Sequence, residues 1–171
     1  MSTDAQTLGG LKVADFSRVL AGPFATMVLA DLGAEVIKIE RPGIGDDTRA
    51  WAPPYDDTGV ATYFLAVNRN KESVVLDLRD PDDQKKAREL VAESDVVVEN
   101  FRVGVMEKLG LGYEELAELN PGLIYCSITG FGAGAGANLP GYDLLIQAVG
   151  GLMSITGDPA GGPQKVGVAM I

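Results

Sequence analysis

The chain has 171 residues, enough for one substantial core or for one domain plus part of another. Its 24 acidic and 14 basic residues give a formal net charge of -10, which argues against nonspecific nucleic-acid binding because that needs a basic face. With no His and one Cys, the chain lacks imidazole acid–base chemistry, the commonest metal ligand and an internal disulfide, so no metal site is expected.

In chain order, Leu11–Phe16 predicts a first strand and Pro23–Leu32 a helix with Pro23 near its first position and Gly33 at its C-cap. Glu35–Glu40 is a second strand, rich in β-formers at Val36, Ile37 and Ile39. Residues 41–58 read as a long surface excursion with few core anchors beyond Trp51, and Ala61–Val67 as a short helix. Ser73–Leu78 predicts a third strand. Pro81–Glu93 is a charged amphipathic helix with Ala87, Leu90 and Val91 on its inner stripe. Asp95–Glu99 follows as a fourth strand, then short helical segments at Val105–Leu109 and Tyr113–Leu119. Leu123–Thr129 is a fifth strand in which Cys126 is expected to be a small buried core residue. Tyr142–Met153 predicts the last helix, and residues 157–162 a turn.

Strands separated by helices imply βαβ units and a mainly parallel, three-layer α/β sheet. No apolar run approaches the roughly 20 residues of a membrane span. Residues 1–10 lack the pattern of a signal peptide, so no membrane partner and a cytoplasmic location are expected. The apolar run Val166–Ile171 suggests a chain that stops inside an element and belongs to something longer.

Four places carry possible chemistry. Residues 18–23 form a small-residue turn into a helix, which fits either an anion site or a plain βα turn. The dinucleotide fingerprint is missing there. Arg18, Lys38, Arg41, Arg49, Arg69, Lys71 and Arg102 fall at predicted strand ends and loops. Together they suggest a phosphorylated ligand; singly, each fits a solvated charge. After the fourth strand, Asn100 offers a donor and an acceptor, Phe101 a stacking face and Arg102 a phosphate contact. Their bland reading is an ordinary strand-end turn. Lastly, Asp143 follows the Gly-rich stretch 132–137 and opens an apolar helix, where it fits a nucleophile or a helix cap.

Five segments occur in order: residues 15–23 (DFSRVLAGP), 31–42 (DLGAEVIKIERP), 68–71 (NRNK), 99–101 (ENF) and 141–143 (GYD). As a set they resemble the class III coenzyme A transferases, the CaiB/BaiF family, a superfamily that spans formyl-CoA transferase and α-methylacyl-CoA racemase. The resemblance runs from about Leu11 to Ile171 and implies a Rossmann-like three-layer sandwich. Residues 11–171 would be the N-terminal part of a large CoA-binding domain. The small domain and the returning C-terminal segment would be absent and the sandwich incomplete. The full-length protein would be an interlocked homodimer.

By the same resemblance, Asp143 is the catalytic carboxylate. CoA contacts fall at Val19, Leu20, Ala21, Arg41, Asn100, Phe101 and Lys108, with Lys71 nearby. Acyl-CoA and a carboxylic acid are the implied partners, with coenzyme A as substrate and no metal. Racemases commonly place His before the matching Asp; here Tyr142 precedes it and His is absent, which favours a transferase. The sequence departs from the family in residues 132–138, with Ala133 where a polar side chain is expected, and at Val103, where Pro is usual. The alternatives are a non-catalytic CoA- or nucleotide-binding domain and, less favoured, an acyl-CoA racemase.

Overall fold

Short runs of β-branched residues build the sheet of the computed structural model, which describes residues 6–169. Expectations that touch residues 1–5 and 170–171 lie outside the described residues. The strands are β1 (Lys12–Asp15), β2 (Glu35–Glu40), β3 (Lys71–Val75), β4 (Val96–Glu99) and β5 (Ile124–Ser127). All four pairings are parallel, in the order β3-β2-β1-β4-β5. Parallel neighbours need crossovers, and here helices supply them. These are α1 (Ala21–Asp31), α2 (Thr62–Asn68), α3 (Pro81–Ala92), α4 (Val105–Lys108) and α5 (Tyr113–Leu119). The chain divides into two compact units, residues 1–128 and 129–171.

Alternation along the strands fills both faces of the sheet in the first unit. Ala14, Phe16, Ile39 and Val97 pack with Ala87 and Val91 of α3, Met106 of α4 and Leu116 of α5. Val13, Val36, Val96 and Val98 face the other way and pack with Ala30 of α1 and Ala34. One residue along each strand therefore moves the side chain from one core to the other. The result is an α/β fold with a parallel sheet between helical layers.

Several boundaries differ from expectation. Strand β3 begins at Lys71 rather than Ser73, because its ladder to β2 runs from Val36↔Lys71 to Glu40↔Val75. Leu76 and Leu78 lie beyond that ladder and are buried in the core. Helix α1 starts at Ala21, so Pro23 is its third residue, still in the first turn where a missing N–H does no harm. Gly33 lies just past the cap with φ 103 and donates to the Ala30 carbonyl, ending the helix. Trp51 is 49% exposed and is no core anchor; buried Asp46 and Thr48 tie the 41–58 excursion down instead. A 3-10 turn at Asp47–Ala50 gives that excursion local structure. Cys126 is exposed, because β5 is the last strand on its side of the sheet.

The second unit carries α6 (Asp143–Val149), which stops short of Met153. Gly151, at φ 82, breaks the chain into a separate 3-10 turn at Leu152–Ser154. No helix among the described residues is long and apolar enough to cross a membrane.

Helix α3 shows how local sequence sets a boundary. The Asp80 carboxylate accepts the N–H groups of Asp82 and Asp83 at 2.9 and 3.3 Å, and Pro81 opens the helix. Asp80→Ala is expected to cost about 1 kcal/mol in urea unfolding without altering the slope of the transition.

Candidate functional site

Strand order reverses between β1 and β4, and open α/β sheets bind ligands beyond the carboxyl ends of strands at such a point. The turns leaving these two strands are stitched together. Asn100 Oδ1 accepts the Arg18 N–H at 2.7 Å, and Asn100 Nδ2 donates to the Arg18 carbonyl at 2.8 Å. The Arg18 guanidinium lies over the Phe101 ring, 4.8 Å from its centroid. Asn100 and Phe101, expected to face a ligand, thus engage Arg18. The Asn100 amide spends a donor and an acceptor on backbone.

Val19 follows with φ 70, a left-handed conformation that is costly for a β-branched residue. Its N–H donates to the Asp46 carboxylate, at 3.2 Å to Oδ2. Leu20 caps α1 with backbone alone, and exposed Ala21 is the first helical residue. Gly22 is required by close approach: a Cβ there would lie 2.2 Å from that of Ser17. The turn at 18–22 is therefore held from three sides.

Beneath it lies a buried ionic network that the sequence did not disclose. Lys38 Nζ donates to the Ser17 carbonyl at 2.8 Å and pairs with Asp46 at 3.0 Å, both side chains essentially inaccessible. Asp46 also accepts from the Thr48 N–H and hydroxyl. Burial raises the Asp46 pKa, but the Lys38 charge and the Thr48 donors outweigh it and hold the carboxyl below its usual range. Lys71 Nζ donates to Asp15 Oδ2, the Pro23 carbonyl and Asn68 Oδ1 at 2.8–3.0 Å, with its side chain 2% exposed. Its three donors are all engaged, and Lys71 ties β3 to β1 and the start of α1. Burial lowers its pKa, against the opposing charge of Asp15.

The other cations sort by partner. Lys38 lies inside β2, not at a loop, and Arg49 pairs with Glu40 through Nε at 2.7 Å and Nη2 at 2.6 Å. Arg69 binds Asp31 by a similar fork. Arg41 closes its own loop through the Gly45 carbonyl and Asp47, keeping its side chain 34% exposed. Burial and then the charge of Arg41 lower the Arg18 pKa, with Asp47 and Asp46 opposing. Arg18, after β1, and Arg41, after β2, thus lie near enough to influence each other's charge. Lys108 ends α4 and is exposed.

In the second unit, Gly130 and Gly141 pinch the base of the 131–140 loop; a Cβ on Gly130 would lie 2.5 Å from the Gly141 Cα. Those two glycines allow backbone to approach backbone. Asp143 is half-buried and is the first residue of α6; Tyr142 is the cap and makes no side-chain capping bond. Asp143 thus lies one residue past the cap position. Its Oδ2 accepts from Gln147 Nε2 at 2.8 Å, a contact one helical turn away that the sequence reading passed over. Among the described residues, no cluster of three metal-ligating side chains occurs.

The profile of CoA-transferase family III matches residues 8–171. The chain belongs to that family, the CaiB/BaiF group. It is 55% identical over 164 residues to the human succinyl-CoA:glutarate CoA-transferase, covering 95% of this chain and 37% of that protein. An acetyl-CoA:oxalate CoA-transferase from Acetobacter aceti is 53% identical over 159 residues, covering 92% of this chain and 40% of that protein. The crystal structure of a CaiB/BaiF family protein from Brucella suis superposes with a TM-score of 0.92 at 53% identity, over 96% of this chain and 44% of that one. The chain thus spans less than half the length of these CoA-transferase relatives.

The buried charges give the CoA-transferase fold a defined acid response. Burial raises the Glu40 pKa, but Arg49, the Ser73 hydroxyl and the Asp46 N–H overcome it and hold the carboxyl at about 2, against an ordinary 4.5. Between those values the unfolded chain binds the proton and the folded chain does not, so this contribution is present above pH 4.5 and lost as pH falls toward 2. Glu40→Gln is expected to make the loss of stability across that window shallower, measured by denaturant unfolding at successive pH values.

Proposed function

We propose that the protein carrying this sequence transfers coenzyme A from an acyl-CoA to a free carboxylic acid, with Asp143 as nucleophile. The family match over residues 8–171 carries the reading. The relatives named above are called transferases acting between succinyl-CoA and glutarate or acetyl-CoA and oxalate, which makes dicarboxylates the first acceptors to test.

The Asp143 carboxylate attacks the thioester carbonyl and expels CoA thiolate, leaving a mixed aspartyl anhydride. The thiolate then attacks the aspartyl carbonyl, expelling the donor acid and leaving an aspartyl-CoA thioester. The carboxylate of the acceptor attacks that thioester, regenerating thiolate and a new anhydride. Thiolate attack on the acceptor's acyl carbon finally releases the new acyl-CoA and restores Asp143. A carboxylate is a weak nucleophile, and fixed proximity is what makes it competent.

For CoA, the switch point of the first unit is the proposed cradle. Val19, Leu20 and Ala21 supply the turn, Asn100 and Phe101 hold its shape, and Arg41 with exposed Lys108 supply charge. The phosphate groups of CoA suit paired guanidiniums such as Arg18 and Arg41. Lys71 is left out, since its donors are engaged.

Incubating the full-length protein with acyl-CoA and hydroxylamine is expected to give an Asp143 hydroxamate detectable by mass spectrometry. Asp143→Ala is expected to give neither adduct nor exchange; turnover retained in that variant would reject the nucleophile. A protein that binds CoA and exchanges nothing would be the non-catalytic binding domain instead. Arg41→Ala should weaken CoA binding by about 1–3 kcal/mol in calorimetry if it makes a charge-assisted phosphate bond.

A further inference from the structure

Helix α6 buries the wrong residue for a simple amphipathic helix. Gln147 is 0% exposed and is its one buried residue among those described, whereas Leu144 and Val149 are 55% and 66% exposed. A buried amide must find partners for both ends, and this one does. Gln147 Nε2 donates to Asp143 Oδ2 at 2.8 Å, while Gln147 Oε1 accepts the Val166 N–H at 2.9 Å. The orientation of the amide follows from these neighbours, since a backbone N–H needs the oxygen and a carboxylate needs the NH2. Val166 is itself fastened into the unit: the Gln164 N–H donates to the Met153 carbonyl at 3.2 Å, and the Thr156 hydroxyl donates to the Gln164 carbonyl.

From this geometry we infer that Gln147 is a further catalytic residue, the donor that holds Asp143 Oδ2 and carries its charge when the acylated aspartyl group is attacked. The inference rests on Asp143 being the nucleophile. After Asp143 has been acylated, Oδ2 is the carbonyl oxygen of the aspartyl group. Thiolate addition forms the S–C bond and moves the carbonyl π pair onto Oδ2. Collapse of that intermediate restores the carbonyl and expels the donor acid as carboxylate. An N–H already aimed at Oδ2 meets the charge where it develops and needs no reorganisation. A neutral amide suits both stages: it orients the resting carboxylate without the full positive charge of Lys or Arg, which would blunt its nucleophilicity. The tie to Val166 fixes the amide so that it cannot turn away.

Gln147→Met keeps the volume and removes the donor, and Gln147→Leu removes it with a second apolar side chain. In the full-length protein, each folded variant is expected to bind acyl-CoA with parental affinity and to form the enzyme-CoA thioester about 100-fold more slowly in single turnover. A parental rate in either folded variant would overturn the role. Rate, affinity and melting temperature falling together would also overturn it, by showing a structural residue only. Should the parent bind acyl-CoA and give no Asp143 adduct, the nucleophile itself fails and the inference with it. In the unsubstituted protein the Gln147 side-chain amide resonance should move when acyl-CoA acylates Asp143; a resonance that stays put overturns the role even if both variants fail to fold.

Discussion

The buried pair between Lys38 and Asp46 is the constraint on which the first unit depends. Lys38 is a strand residue whose charge points into the protein, and it is tolerable there only because Asp46 and the Ser17 carbonyl receive it. That one contact ties the β1 exit, the middle of β2 and the loop after β2 together. Removing one partner of such a pair strands a charge and typically costs about 3–5 kcal/mol, whereas the intact pair adds little net stability. Its value here is in register. Asp46 then has a carboxylate positioned to accept the Val19 N–H, and the turn takes a shape that its own sequence disfavours.

The same logic extends outward. Asp15 and Lys71 bind β3 to β1 and to the first turn of α1, and Glu40 with Arg49 secures the 3-10 turn that carries Thr48. Asn100 closes the far side of the turn from β4. Charged residues that could each have been ligand contacts therefore make a rigid floor, and the cations left for a ligand are fewer than the sequence suggests. Arg18 and Arg41 sit on that floor, close enough for one guanidinium to disfavour charge on the other. An anion relieves such crowding.

Much of the architecture was legible because it rests on local patterns. Strand-like runs at Leu11–Phe16, Glu35–Glu40 and Asp95–Glu99 marked the interior strands, and Pro81 marked the start of α3. Strand β3 was misplaced because Val74 and Val75 favour a strand yet are exposed, so hydrophobicity could not locate a ladder set by β2. Cys126 misled for a similar reason: an apolar run looks buried whichever place in the sheet its strand takes. Lys38, Asp46 and Lys71 were beyond a linear reading, since their ion-pair partners lie 8 residues away for Lys38–Asp46 and 56 for Lys71–Asp15 and meet only in the folded sheet. Gln147 differs. Its spacing from Asp143 was visible, but nothing local shows that a helix will bury its amide and expose its leucine.

The two glycines at the neck of the 131–140 loop separate two jobs that would otherwise compete. Because Gly130 and Gly141 meet backbone to backbone, the chain enters and leaves the loop at nearly the same point. What lies between can lengthen, shorten or change composition, while the start of α6 keeps its anchor at the neck. The Gly-Ala run in residues 132–137 is one filling of that loop. The loop can therefore diversify in length and composition while Asp143 stays where the helix puts it.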